Sequence, residues 1–447
     1  MAIRKPNIIL ITASQLRWDC LGYAGNPDVH TPNLDVLASH AAVFEQAIAS
    51  CPNGAAARAT LLTGHYPGRH GVFSYGQAMR SGLDTLPALL REAGYETGMA
   101  GMLQATPASA ALGFDRTALA EPEPPGRGQD EYHLWLREEG QSNPIEAWDD
   151  ATGEAAPIMY WNSFGALRAD FEEKYCSTTW IGDRAVRGIC TMTEPFFLWV
   201  SFIKPRPPFD PPPPWDGMYD RKALHLPEGF RLPVPEEDCD YPYRFNPGKL
   251  TETRFRRILA YYYAHISLLD RQIGRILATL TARGITNNIL VFTADYGCYM
   301  GQHGLVSDGG PPYDSLLRIP LIIGGLPQQR RGIRETALVE QADLMPTLLH
   351  AVAVRRPRTL AGESLLPLLQ DTGAMVRNAA YAQIGPDLRM VRTHRYKLVE
   401  GGPQRRPELY DLRDDPHEFQ NLFGAPAMAA IQSDLSRELR RRAGAVE

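Results

Sequence analysis

Four short apolar runs constrain this chain more than any other feature: Asn7 to Ala13, Phe196 to Ile203, Ile289 to Thr293 and Ile319 to Ile323. Each is too short to cross a membrane, and none alternates between apolar and polar residues as a half-exposed strand would. Strands apolar on both faces must be covered on both faces, which is the situation of a parallel sheet with helices above and below it. The intervening segments supply those helices. Thr31-Pro32-Asn33 opens one that runs to about Ala42, with Asn33 as its expected N-cap. Gly54 or its neighbour opens a second, Ala55 to Thr63, closed by Gly64. Leu83 to Ala93 is amphipathic and leads through Gly94-Tyr95 into a strand near Thr97 to Ala100. A long helix is predicted over about Thr251 to Arg283, where Leu259, Tyr262, Ile266, Leu269 and Ile273 recur at helical spacing. Strands alternating with helices predict an α/β sandwich around a central, mostly parallel sheet.

The expected organisation is a main α/β domain over residues 1–376 and a small C-terminal α+β subdomain over residues 377–447. In the second unit Arg389 to Val399 and Leu409 to Leu412 read as strands, and a closing helix runs from Pro426 to about Arg442. Two stretches read as insertions. Residues 105–190 are irregular and polar. Residues 205–250 carry Pro205, Pro207, Pro208 and Pro211 to Pro214, a density that predicts an extended surface loop.

A net charge of −5 with no long basic run argues against nucleic-acid or membrane partners and for a small-molecule ligand or substrate, with self-association left open. The six cysteines show no metal-ligand spacing, and the apolar run after Lys5 is too short for an export signal. The expectation is a cytoplasmic, bacterial protein with free thiols.

Pro6 to Ile11, Thr31-Pro32-Asn33-Leu34-Asp35, Arg58 to Pro67, Gly94-Tyr95-Glu96-Thr97, Ile203-Lys204-Pro205, Phe292 to Asp295 and Leu409 to Pro416 carry a resemblance. Taken in this order, they resemble the sulfatases of the alkaline phosphatase superfamily, arylsulfatase and phosphonate monoester hydrolase types included. The resemblance implies the alkaline-phosphatase-like sandwich. It also implies a formylglycine nucleophile made from a Cys-x-Pro-x-Arg motif, a divalent metal (usually Ca²⁺) held by paired aspartates, and lysines and histidines that grip the sulfate.

This chain departs from the pattern at nearly every such position. The aspartate pair falls on Ser14 and Gln15, the nucleophile on Gly54, and the Lys-x-His pair on Met102 and Gln104. The Pro-His histidine falls on Arg206, the partner of Asp295 on Tyr296, and the last lysine on Asp308. Of these positions only Arg58 and Asp295 keep the family's residue. Glycine cannot be oxidised to an aldehyde, and a hard cation wants carboxylates in number, so neither formylglycine nor Ca²⁺ is expected, and no metal ligand set is assigned.

Three functions stay open. The first is a repurposed, metal-independent enzyme acting on a small polar or anionic molecule by proton transfer, elimination or cyclisation. Arg58, Arg206, Asp295, Tyr296 and Asp308 are then the catalytic candidates, with His303 on the rim and an anion held at the N-terminus of the Gly54 helix. The second is a non-catalytic pseudo-sulfatase that binds a ligand or a partner protein. The third is a residual ester hydrolase with an unconventional nucleophile, Cys51, Thr60 or Tyr296. Replacing Arg58 or Asp295 is expected to silence the site and spare the fold.

Overall fold

The computed structural model describes residues 5–446 except 109, 111, 125, 144, 146–155, 231–244, 327, 371–373 and 403–404. The apolar runs form the centre of one large sheet. Its strands are β1 (Asn7–Ser14), β2 (Ala42–Ile48), β3 (Glu96–Gly101), β4 (Arg116–Leu119), β5 (Phe196–Pro205), β6 (Asn288–Ala294), β7 (Leu321–Gly324) and β8 (Ile333–Glu340), in the order β8-β2-β7-β6-β1-β5-β3-β4. The short strand Arg318–Ile319 pairs with the end of β2. β1 runs parallel to both β5 and β6, with Ile9 beside Leu198 on one side and Leu290 on the other, and every residue of β1 is buried. β7 alone of these eight is antiparallel to both its neighbours. The expected α/β sandwich with a mostly parallel sheet is therefore what the chain forms.

Helices cover the sheet. They include α1 (Pro32–His40), α2 (Gly54–Thr63), α3 (Leu86–Glu92), α4 (Ser177–Thr191) and α5 (Glu252–Ala282). Asn33 is not the N-cap of α1. Thr31 holds that position, and the Asn33 backbone and side-chain amides both donate to Asp270 on α5. The sequence predicts no strand over residues 42–48 and gives Ala42 to the end of a helix, yet these residues form β2. Two further expectations change. The stretch 105–190 ends in a core helix, since α4 packs against α5 and β5. The proline-rich segment from Pro205 to Pro212 is buried rather than superficial. It is fixed there by Lys204, whose ammonium donates to the Pro208 carbonyl (2.6 Å) and pairs with Asp210. Residues 213–230 and 245–250 of the predicted loop form turns and short 3-10 helices, and residues 231–244 lie outside the described residues.

A second sheet of four antiparallel strands, β9 (Ala380–Ile384), β10 (Leu388–Arg392), β11 (Tyr396–Glu400) and β12 (Glu408–Asp411), is followed by the helix Ala429–Val446. The single strand expected over Arg389 to Val399 is a hairpin. Cys20, Cys51, Cys176, Cys190 and Cys298 are free thiols, and Cys239 lies outside the described residues. Among the described residues no helix is long and apolar enough to cross a membrane.

Candidate active site

The carboxyl ends of β1, β3, β5 and β6 open at one edge of the sheet, the usual place for a ligand in an α/β fold. Each strand delivers residues there: Ser14 and Gln15 from β1, Met102 and Gln104 after β3, Arg206 after β5, Asp295 and Tyr296 after β6. The turn out of β3 needs its glycine. Gly101 has φ +108°, and a Cβ there would stand 2.0 Å from the Ser201 carbonyl oxygen. Helix α2 adds Arg58 one turn in, its side chain leaning back toward the helix start as helical side chains do.

Asp295 is the hub. Its Oδ2 accepts from the Ser14 hydroxyl (2.7 Å) and the Arg58 guanidinium (3.0 Å), and its Oδ1 accepts from the backbone amides of Gln15 (2.8 Å) and Tyr296 (2.7 Å). Arg58 also donates to the Met102 carbonyl (3.2 Å) and to the Gln104 side-chain oxygen (2.9 Å). With Arg58 1% and Asp295 0% exposed, this is a fully buried ion pair. On the other side, the Gln15 amide nitrogen donates to the Tyr296 hydroxyl (2.7 Å) and to Asp308 (3.0 Å), and the Tyr296 hydroxyl donates to Asp308 (2.8 Å). Burial, reinforced by the charges of Asp308 and Asp295, raises the Tyr296 phenol well above its ordinary value, so it donates a hydrogen bond and keeps its proton.

Gly54 stands where the resemblance places the nucleophile, and a side chain there would have to displace its neighbours. A Cβ built on Gly54 would lie 2.7 Å from an Arg58 guanidinium nitrogen and 2.7 Å from the Gln104 amide oxygen, across the hydrogen bond that joins them. Nor do the residues suit a dication. All four hydrogen bonds to the Asp295 oxygens come from donors, one of them a guanidinium cation where a metal would need open lone pairs. Among the described residues, no group of three or more His, Cys, Asp or Glu could hold a metal ion.

The expected anion site at the start of α2 is corrected by the same geometry. The Asn53 side chain caps the Ala55 and Ala56 amides (3.1 and 3.3 Å), Arg58 is paired, and Arg206 is turned onto Glu123 (2.9 Å). His303 does not join the cluster. Its ring stacks on Tyr313 (4.0 Å between centroids), it meets the His417 carbonyl at 2.8 Å, and burial lowers it to about 4.

The alternative nucleophiles fare no better. Burial pushes the Cys51 thiol up to about 12. Thr60 faces His70 Nε2 at 3.2 Å, but His70 Nδ1 accepts from the Val72 amide, so Nε2 carries the proton and cannot take one from Thr60.

Two carboxylates that sequence reading missed belong to the site. Glu123 holds Arg206. Glu121 accepts from the Leu103 and Gln104 amides (3.0 Å each), and burial raises it to about 7. Both lie in the stretch taken for an insertion, and the only signal for them was an acidic pair, Glu121 and Glu123, within Pro-rich sequence a short distance after β3.

The family model for sulfatases matches residues 6–354, and that for the C-terminal part of N-sulphoglucosamine sulphohydrolase matches residues 301–444. An arylsulfatase of Clostridium perfringens is 30% identical over 94% of this chain and 91% of its own length. PehA, a multifunctional alkaline phosphatase superfamily protein of Trinickia caryophylli, is 27% identical over 97% and 94%. Among solved structures, the phosphonate monoester hydrolase of Agrobacterium radiobacter superposes with a TM-score of 0.84 at 25% identity, covering 99% of this chain and 96% of its own.

Proposed function

This chain belongs to the sulfatase family, and from that premise we propose that it has left the family's ester hydrolysis behind and uses the same strand ends as a metal-independent site for a small polar molecule. The observation that carries this reading is the space at Gly54, where the nucleophile's Cβ would collide with the Arg58–Gln104 hydrogen bond. The saturated oxygens of Asp295 support it, because a formylglycine hydrate needs a metal to activate it. No step through either group is assigned.

The chemistry left to this chain is proton transfer at Asp308. It is the site's partly exposed carboxylate that no described cation pairs, Glu123 being held by Arg206, and it is steered by the Tyr296 hydroxyl and the Gln15 amide. Tyr296 orients Asp308 and, holding its own proton, does not act as a base. Arg58 and Asp295 neutralise each other and serve as the rigid floor of the site. That self-compensation favours a second reading, a pseudo-sulfatase that binds without turnover, as the next to be tested.

The decisive experiment measures hydrolysis of an aryl sulfate and a phosphonate monoester by homogeneous protein, alongside intact mass and metal content. The expected result is no turnover, the unmodified mass and no stoichiometric divalent metal. Chelator-sensitive hydrolysis, or the mass change of a cysteine converted to formylglycine, would overturn the proposal. If both readings of the site survive that test, an Asp308-dependent proton exchange on a bound ligand selects the enzyme, and its absence selects the binder.

A further inference from the structure

We propose that the site receives a protonated amine, held between the Asp308 carboxylate and the side-chain oxygen of Gln15. This rests on the proposed function, that the site is metal-free and no longer grips an ester anion, and it names the ligand class such a site would take.

The charges around the opening lead in that direction. Arg58 is matched by Asp295 and Arg206 by Glu123, so each guanidinium already has its carboxylate. Asp308 has no such match. It accepts only from neutral groups, the Gln15 amide (3.0 Å), the Tyr296 hydroxyl (2.8 Å) and the Ser307 hydroxyl (3.1 Å), and no ion pair joins it to a described residue. Each of these contacts is a donor to a carboxylate, and none removes its charge. Arg206 is near enough to act on the Tyr296 phenol, yet its guanidinium is turned to Glu123. The surroundings therefore repel a sulfate or phosphonate ester and attract a cation.

Gln15 supplies an independent observation. It is 2% exposed, and its amide nitrogen donates to both Tyr296 and Asp308. The carboxylate requires a donor, which fixes which end of the amide is the nitrogen. Its oxygen is then left buried without a hydrogen-bond partner, a condition that native structures rarely tolerate. What is missing is a donor, adjacent to a carboxylate that lacks a cation. A primary ammonium has three N–H groups and no acceptor, and can serve both oxygens at once. A quaternary ammonium has no N–H to offer. A dication would need several further oxygen ligands, and those of Asp295 are already engaged. Pro52, Asn53, Gly54, Asp308 and Gly309 all keep part of their surface exposed, and Asp308 is the member of the cluster that solvent reaches.

The test is calorimetric titration of the full chain, at neutral pH and low salt, with propylammonium chloride and ethanolamine. Propanol, tetramethylammonium chloride, propyl sulfate and calcium chloride serve as comparisons. The two primary amines should bind at millimolar concentration or below, more weakly as salt is added, and Asp308→Asn should weaken them roughly tenfold or more. If circular dichroism shows that Asp308→Asn is misfolded, the comparison of propylammonium with tetramethylammonium on the parent protein decides. Equal binding of those two, tighter binding of propyl sulfate, tighter binding of Ca²⁺ or no binding of either amine would each overturn the proposal. Failure here with hydrolysis still absent removes only the amine, whereas hydrolysis of esters removes the reading on which it rests.

Discussion

Two buried polar networks in this molecule resemble each other until their charges are counted. One joins the main sheet to the C-terminal sheet and helix. Glu340, at the end of β8, accepts from Tyr66 and from the Tyr381 amide and pairs with Arg442 of the last helix, while Arg377 bridges Glu340 (3.4 Å) and Asp343. Nearby, Asp314 and Glu418 are matched by Arg392 and Lys397. In both clusters two carboxylates meet two cations, and the strands and helices they come from are locked together. The other network is the site. It is just as densely bonded around Asp295, yet it ends in a carboxylate without a cation and an amide oxygen without a donor. Charge-balanced networks hold elements together, and the one that ends in an unmatched carboxylate is where a ligand's charge can be received.

The largest expected effect sharpens that contrast. Glu340→Ala would leave Arg442 without its carboxylate and Arg377 with Asp343 alone, and removing one member of a buried pair costs about 3–5 kcal/mol. Denaturant unfolding should show a loss of that size, and a loss under about 1 kcal/mol would mean that the joint is not a structural lock. The same physics revises the expectation that Arg58 or Asp295 could be replaced without harm to the fold. Both are buried as deeply as the joint, so either single substitution should destabilise to a similar degree.

Glu121 gives the next effect, through pH. Its carboxyl is raised from 4.5 to about 7 by burial, so between those values the folded protein holds a proton that the unfolded chain has released. The stability this contributes is present below about pH 4.5 and is lost as pH rises to about 7, a change of about 3 kcal/mol. Glu418 is raised to the same value, so the parent's slope contains both groups. Glu121→Gln isolates one of them. Its stability relative to the parent should grow across that window, measured by unfolding at pH 4.5, 6 and 7.5. A constant difference would show that Glu121 is ionised throughout.

What could be read from the sequence was whatever depends on local patterning. Uniformly apolar β1, β5 and β6 could only be buried strands, and Gly54 to Gly64 carried a helix with its C-cap. β2 escaped because Ala42 to Ile48 includes Glu45 and Gln46, which break the apolar run near the sheet's edge. The buried proline segment was misread because proline's poor fit to strands says nothing about burial, and Lys204 with Asp210 stabilises it from within. At the site, the family resemblance placed Ser14, Gln15, Gly54, Arg58, Met102, Gln104, Arg206, Asp295, Tyr296 and Asp308 at the strand ends and the loops beside them. The pairing of Arg206 with Glu123, the Asn53 cap and the stacking of His303 on Tyr313 are contacts between distant segments, and no periodicity encodes those.

Gly54→Cys asks whether the site could be turned back. Restoring the cysteine puts a Cβ 2.7 Å from both Arg58 and Gln104, and although these are side-chain ends, each is held in a buried hydrogen bond. Overpacking of this kind costs about 1–3 kcal/mol, and thermal unfolding should show it. Aryl sulfate hydrolysis should stay absent even when Gly54→Cys is combined with Ala56→Pro, which completes the Cys-x-Pro-x-Arg motif, and the variant is produced with a formylglycine-generating enzyme, because the Asp295 oxygens remain occupied. Recovery of turnover would show that the arginine and glutamine yield easily and that the site is dormant rather than rebuilt.

The smallest stability effect should come from Asp308→Asn, and its smallness is what separates the two networks. Asp308 is partly exposed and pairs with no described cation, so neutralising it strands no buried charge. Asparagine keeps an oxygen to accept from Tyr296 or Gln15, and the expected change lies within about 0.5 kcal/mol of zero by denaturant unfolding, of either sign. A loss approaching that of Glu340→Ala would mean that Asp308 is a structural member like the carboxylates of the joint, and the division between locking and receiving networks would fail at the residue that defines it.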